Sequence, residues 1–258
     1  MAQGRIVSMS TTAPRLLQVR RSERITPRMV RVTLAGDELA GFGGEGPDRR
    51  IKMFFPVAGQ ERPAVPRATS GGPLWPAGEP RPAIRTYTVR RFDAAAGELD
   101  VDFVLHEGHG PAAAWAEDAR PGAWVGVSEP GGRYEPDPAA DFHVVIGDET
   151  ALPAVATVLE ALADTLPDAP VLAFLEVADA AEEQKLPGHA QVQWVHRGDR
   201  EPGAPLAAAV RSAAFPQGSG QAWLSGESGC VRDLRKHLLD ERGLDRRRVY
   251  ATGYWRAR

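Results

Sequence analysis

The sequence predicts a β-barrel joined to an α/β domain, and three observations predict it. The first half carries short, β-prone runs with mostly brief connections. From about residue 141 the rhythm changes to alternating strands and helices. Between them lies "PDPAAD" (136–141), a proline-rich linker. The chain is therefore expected to divide into residues 1–137, a six-stranded antiparallel barrel, and residues 138–258, a parallel sheet covered by helices.

The barrel strands are expected at 16–26, 29–36, 51–57, 83–92, 98–106 and 124–130. In "ELDVDFVLH" (98–106), Leu99, Val101, Phe103 and Leu105 share one face while Asp100, Asp102, Val104 and His106 share the other. That alternation predicts a sheet with one buried side. Residues 58–82, rich in Pro and Gly and without a period, read as a long surface excursion. After the fifth strand, Gly110 and Pro111 open a short helix over the alanines that follow.

In the second half, "FHVVIG" (142–147) is a continuous apolar strand. It leads into a helix marked by Leu152, Val155, Leu159, Leu162 and Leu166. "PVLAFLEV" (170–177) is apolar on both faces, as a sheet covered on both sides requires. A strand at 192–196, a helix near 204–214, a strand at 222–226, a helix near 228–242 and a last strand at 248–255 complete the pattern. Ligands of such a sheet lie beyond the carboxyl ends of its strands.

Composition narrows the chemistry. With a net charge of −3, the chain lacks the cationic excess of a nucleic-acid binder. It has no apolar run long enough for membrane insertion, and its first residues lack the apolar core of a secretory signal, so a cytoplasmic location is expected. One cysteine, Cys230, excludes an internal disulfide or a thiolate cluster. The six histidines, of which His106 and His109 lie closest, show no metal-ligand spacing. Electron chemistry here would need an organic cofactor.

Three stretches invite a ligand. "IRTYTVRRF" (84–92) places Arg85, Tyr87 and Thr88 on one strand, and the same pattern also suits a half-exposed strand. The helix start at Gly110 offers backbone N–H groups to an anion, with Arg85 and Arg90 upstream, or is a plain strand–helix turn. "IGDETALPA" (146–154), "LSGES" (224–228) and "TGYWR" (252–256) all end strands of the second half and would line one crevice, with Thr150 as a helix cap.

Taken together, "RTYTVR" (85–90), "VDFVLHEGHGPAAAWA" (101–116), "GDETALPA" (147–154) and "GYWR" (253–256), with "IKMFFP" (51–56), resemble the siderophore-interacting proteins. These are flavin-dependent ferric-siderophore reductases of the ferredoxin–NADP reductase superfamily. The resemblance implies a flavin-binding barrel followed by a nucleotide-binding α/β domain. It places Arg85 at the phosphates of FAD and Tyr87 and Thr88 against the isoalloxazine, with Thr86 between them. Asp102 and His106, flanking Phe103, would meet the ribityl and diphosphate portions. The turn through Gly110, Pro111, Ala112 and Ala113 would donate N–H groups to the diphosphate, and Trp255 would sit near the flavin. Asp148, Thr150, Ala151, Gly226 and Glu227 would border NADPH or NADH. Lys52, with Arg133 and Arg256, would receive an anionic ferric siderophore. Two departures stand out: Glu129 occupies a usual glycine position, and Ala113 replaces a frequent hydroxylated residue.

The implied activity is a reductase carrying electrons from NAD(P)H through FAD to siderophore-bound iron, with no catalytic side chain and no metal ligand of its own. Reduced ferredoxin as donor, and a binding module without turnover, are the alternatives.

Overall fold

The computed structural model describes residues 13–43, 45–106, 110–132 and 134–257. It divides into two compact units. The first comprises Met1–Glu23, Val30–Glu45 and Arg50–Gly131; the second comprises Arg24–Met29, Gly46–Arg49 and Gly132–Arg258.

In the first unit a seven-stranded sheet forms from β1 (Arg15–Thr26), β2 (Met29–Ala35), β3 (Arg50–Phe55), β6 (Ala83–Thr88), β7 (Arg91–Asp93), β8 (Glu98–Val104) and β9 (Trp124–Val127). Its order is β6-β3-β9-β1-β2-β8-β7. The pairs β1–β9, β3–β6, β3–β9 and β7–β8 are antiparallel. β6 and β7 stand at opposite ends of this order, yet only Val89 and Arg90 separate them in the chain. The sheet must therefore curl until its two edges meet. The Arg90 amide donates to the Asp100 carbonyl at that seam. This is why the run expected as one strand over 83–92 is two strands, and the barrel has seven rather than six.

Leu17, Val32, Leu34, Ile51, Met53, Phe55, Leu99, Val101, Phe103, Val125 and Val127 fill the interior. The opposite face of β8 is buried too, contrary to the one-sided reading. Arg21 donates to both oxygens of Glu98 at 2.8 Å, Arg31 to both oxygens of Asp102 at 2.7 and 2.8 Å, and the Thr33 hydroxyl to Asp100 at 2.6 Å. Alternation reports where apolar groups go, but not that a carboxylate row has its own cover of arginines.

The long excursion is anchored. It contains a hairpin of β4 (Arg67–Thr69) and β5 (Gly72–Leu74). Trp75 packs on Phe54 with ring centroids 6.3 Å apart, Arg81 lies 4.0 Å over Trp75, and Arg62 lies 3.9 Å over Trp124. Val65 fills the space above Gly126, where an added Cβ would meet Val65 Cγ1 at 2.7 Å.

The second unit holds a five-stranded parallel sheet: β10 (Phe142–Gly147), β11 (Val171–Val177), β12 (Gln191–His196), β13 (Gly220–Glu227) and β14 (Val249–Trp255). Its order is β12-β11-β10-β13-β14. Helices α2 (Leu152–Thr165), α3 (Ala204–Ser212) and α4 (Ser228–Asp240) connect the strands. The buried residues of α2 include Leu152, Val155, Leu159 and Leu162; Leu166 falls just past its end as the C-cap. The chain runs outward from β10 to β12, then returns to β13 beside β10. The reversal between β10 and β13 opens a crevice at their carboxyl ends. Two short segments join this unit through buried polar contacts. The Thr26 hydroxyl donates to Glu182 at 2.5 Å, and the Asp48 amide donates to Thr157 Oγ1 at 3.2 Å.

Candidate functional site

In the first unit, helix α1 (Pro111–Glu117) packs against β3, β6 and β8. Four rings bind them together. Tyr87 of β6 lies with its ring centroid 4.3 Å from Phe103 of β8, Phe55 of β3 lies 5.3 Å from Trp115 of α1, and Phe103 lies 5.9 Å from Trp115. Tyr87 is half-buried on this floor, and burial pushes its phenol up to about 12, so it stays protonated at neutral pH. Thr88 and Phe103 are buried, while Arg85 and Thr86 are exposed. The Arg85 guanidinium donates to the Ile84 carbonyl at 2.8 Å and has no carboxylate partner among the described residues.

The start of α1 lies in the same unit. Gly110 is its N-cap in extended conformation, Pro111 takes the first helical position, and no side chain among the described residues caps the helix. The amides of Ala112 and Ala113 thus begin the helix without an intrahelical carbonyl to bind. An exposed guanidinium and a helix start without carboxylate partner or side-chain cap among the described residues, together with a phenol ring on an aromatic floor, fit a phosphate-bearing, planar cofactor such as FAD. Asp102 does not share this exposure: its carboxylate is buried against Arg31. His106 is exposed. Lys52 of β3 pairs in register with Thr86, whereas Tyr87 pairs with Ile51 and Arg85 with Met53. Lys52 therefore points to the face opposite that of Tyr87 and Arg85. Partial burial lowers its ammonium pKa. Arg133 lies outside the described residues.

In the second unit the three turns come together around Asp148. Its carboxylate receives the Thr150 amide and hydroxyl at 2.9 and 2.5 Å, the Glu227 amide at 2.8 Å and the Trp255 indole at 2.8 Å. Thr150 is not the helix cap that its position suggests. Ala151 takes the N-cap of α2, because the Thr150 hydroxyl is drawn to Asp148 instead. The Glu227 carboxylate caps α4, receiving the Cys230 amide at 2.8 Å. Ile146, Asp148, Ser225, Gly226, Glu227 and Cys230, with Leu206, Leu224, Val231 and Leu234 of the core, line a small void beneath these turns. Burial pushes the Cys230 thiol up to about 12, which removes thiolate chemistry. Arg256 is exposed.

Sequence reasoning missed a charged cluster here. Arg197, just beyond β12, donates to both oxygens of Glu149 at 2.9 and 2.7 Å and to Glu176 at 3.2 Å. Glu176 is fully buried and also receives the amides of Gly203 and Leu206, so it caps α3. A glutamate inside the apolar strand "LAFLEV" was the available signal, since such a charge must find partners. Among the described residues no group of His, Cys, Asp or Glu could hold a metal ion. No helix among them is long and apolar enough to cross a membrane.

Comparison with known proteins agrees with this arrangement. The family model of the siderophore-interacting FAD-binding domain matches residues 18–134, and that of the siderophore-interacting protein matches residues 140–258. A siderophore utilization protein from T. fusca superposes with a TM-score of 0.83 at 41% identity, covering 96% of this chain and 95% of its own. Ferric vibriobactin reductase ViuB of Vibrio cholerae is 35% identical over 250 residues, 94% of this chain and 89% of that protein. The NADPH-dependent ferric-chelate reductase of Escherichia coli is 32% identical over 247 residues, 95% of this chain and 93% of that protein. With both halves of the chain matched in order, the protein belongs to the siderophore-interacting protein family.

Proposed function

We propose that this protein is an FAD-dependent reductase that passes electrons from NAD(P)H to ferric iron held in a siderophore, releasing ferrous iron in the cytoplasm. One observation carries the reading: Arg85, without a carboxylate partner among the described residues, the start of α1, without a side-chain cap among them, and the Tyr87 ring all belong to one unit. FAD, when bound, accepts electrons in pairs and releases them singly, which matches a hydride donor to a one-electron acceptor. One NAD(P)H thus serves two ferric ions, leaving NAD(P)+ and a proton.

The chain's own work is binding and alignment. Arg85 and the amides of Ala112 and Ala113 would hold the diphosphate, since a cation and a helix start both favour negative charge. Tyr87 offers its ring to the isoalloxazine, and the aromatic floor beneath keeps that ring in place. Gly110, Pro111 and His106 would complete the wall and Phe103 would support it from below, whereas Thr86 and Thr88 share the face of Lys52 and Asp102 is held by Arg31 on the other face of β8. Within residues 1–137 the first unit would form the flavin-binding part. Residues 138–258, joined by Arg24–Met29, Gly46–Arg49 and the residues from Gly132, would form the nucleotide-binding part, with the crevice between β10 and β13 taking the nicotinamide nucleotide. The positive charges of Lys52, in the first unit, and of Arg256, in the second, would each favour an anionic chelate. The iron leaves once reduced because hard oxygen ligands hold the ferrous ion less tightly. The names of the Vibrio cholerae and Escherichia coli relatives support this reading.

The test is direct. Purified protein is expected to be yellow. Under anaerobic conditions NADPH or NADH should bleach it, and adding a ferric siderophore with a ferrous trap should restore the yellow colour and colour the trap. A protein that takes up no FAD overturns the proposal; bleaching without ferrous iron reduces it to a flavoprotein of another substrate.

A further inference from the structure

Asp148 stands at the carboxyl end of β10, beside the reversal of the sheet, and is 3% exposed. An ionised carboxylate has about four lone-pair sites. All are taken by the protein: Oδ1 by the amide and hydroxyl of Thr150, Oδ2 by the Glu227 amide and the Trp255 indole. No acceptor site remains for a ribose hydroxyl. The residue that resemblance places at the nucleotide is saturated before any nucleotide arrives.

The surrounding backbone is shaped to this carboxylate. Gly226 has φ +146°, and a Cβ there would meet Asp148 Oδ2 at 2.5 Å. Opposite it the register of β13 and β14 shifts, pairing Gly226 with Gly253 but Glu227 with Trp255. Such a bulge re-aims the side chain that follows, and here the indole reaches back to Asp148. The Ser228 hydroxyl holds the other end of the same residue, donating to the Trp255 carbonyl at 2.5 Å.

We propose that Asp148 is a positioning residue, which fixes the Trp255 indole and the Gly226–Glu227 turn and so shapes the nucleotide crevice without touching the nucleotide. The part concerning the crevice rests on the reading above that it takes NAD(P)H; the clamp on Trp255 does not. The titratable groups around Asp148 are Glu149 of the same turn, held by Arg197, Glu227 of β13, turned to the Cys230 amide, and the Cys230 thiol of α4. Burial and the charge of Glu149 push the Asp148 carboxyl up to about 6 against the pull of its hydrogen bonds. As pH falls through that value, an O–H replaces a lone pair that faced a donor, and one bond of the clamp is lost.

The indole N–H resonance of Trp255 in the FAD-loaded protein reads the clamp, with Trp255→Phe identifying it. The wild-type resonance should titrate with a midpoint near pH 6. In Asp148→Asn an amide N–H faces the donors, so the resonance should move upfield, exchange at least tenfold faster with solvent and lose its titration. The same variant should raise KM for NADPH about tenfold while changing kcat less than twofold. A wild-type indole N–H that exchanges with solvent as fast as an exposed indole overturns the clamp even if the variant fails to fold, and so does a resonance unmoved by Asp148→Asn. Wild-type protein that binds neither NADPH nor NADH sinks the nucleotide reading, with the indole exchange rate still deciding the clamp.

Discussion

Tyr87 packs on Phe103 and Phe55 with ring centroids 4.3 and 6.1 Å away, and it stays half-buried. If its ring carries the flavin, Tyr87→Ala removes a stacking partner worth about 1 kcal/mol beyond its buried area, and FAD affinity should fall roughly tenfold or more. Fluorescence titration of the apoprotein with FAD measures this, and unchanged affinity would remove Tyr87 from the cofactor site. Arg85 and Tyr87 were legible as an arginine and an aromatic on one β-prone strand, and the structure leaves the first exposed and the second half-buried. Arg197 and Glu176 were not, because an ion pair between the ends of two strands leaves no local period. Lys52 was legible as a basic residue, but which face it takes follows from the β3–β6 register, a long-range fact.

At the scale of elements, α1 is fastened to the barrel by the ring cluster as much as by its own short length. A helix of seven residues has little stability alone. Phe103 is fully buried at the centre of that cluster. Phe103→Ala should therefore destabilise the fold by about 3–5 kcal/mol and loosen α1, which chemical denaturation and amide exchange at Ala112–Ala116 would register. A loss below about 1 kcal/mol, the level of a surface substitution, would contradict the packing described. The order of strands and helices could be read from hydrophobic rhythm, and the parallel sheet from its doubly apolar strands. The break at Val89–Arg90 could not, since barrel closure is set by how far the whole sheet curls. The hairpin inside 58–82 escaped for a different reason: its strands are three residues each, too short for a period.

For the molecule as a whole, acid stability has an identifiable contributor in His143. This ring is fully buried on β10, and neither nitrogen makes a hydrogen bond of normal geometry among the described residues, although the Gln221 side chain lies near. Burial lowers its pKa below the usual 6.5, opposed by Gln221 and Asp137. The folded protein thus refuses a proton that the unfolded chain accepts, so the stability due to neutral His143 is present above 6.5 and is lost as pH falls from there toward the folded value. Asp148 acts in the opposite sense, because its raised folded pKa makes the folded state gain a proton on acidification. His143→Leu isolates the first effect: the drop in Tm between pH 7 and 5 should shrink, at roughly 2–4 °C per kcal/mol for a chain of this size. Equal drops in both proteins would show that His143 titrates alike in the folded and unfolded chain.

The chain passes from one unit to the other at five places, because Arg24–Met29 and Gly46–Arg49 belong with the residues after Gly131. Recombination between relatives at one crossover beside the proline-rich linker would give the buried Glu182 a Thr26 loop from the wrong parent. Hybrids that keep their partners must carry those two inserts together with the carboxyl-terminal half, so the units are inherited as a braid rather than as beads.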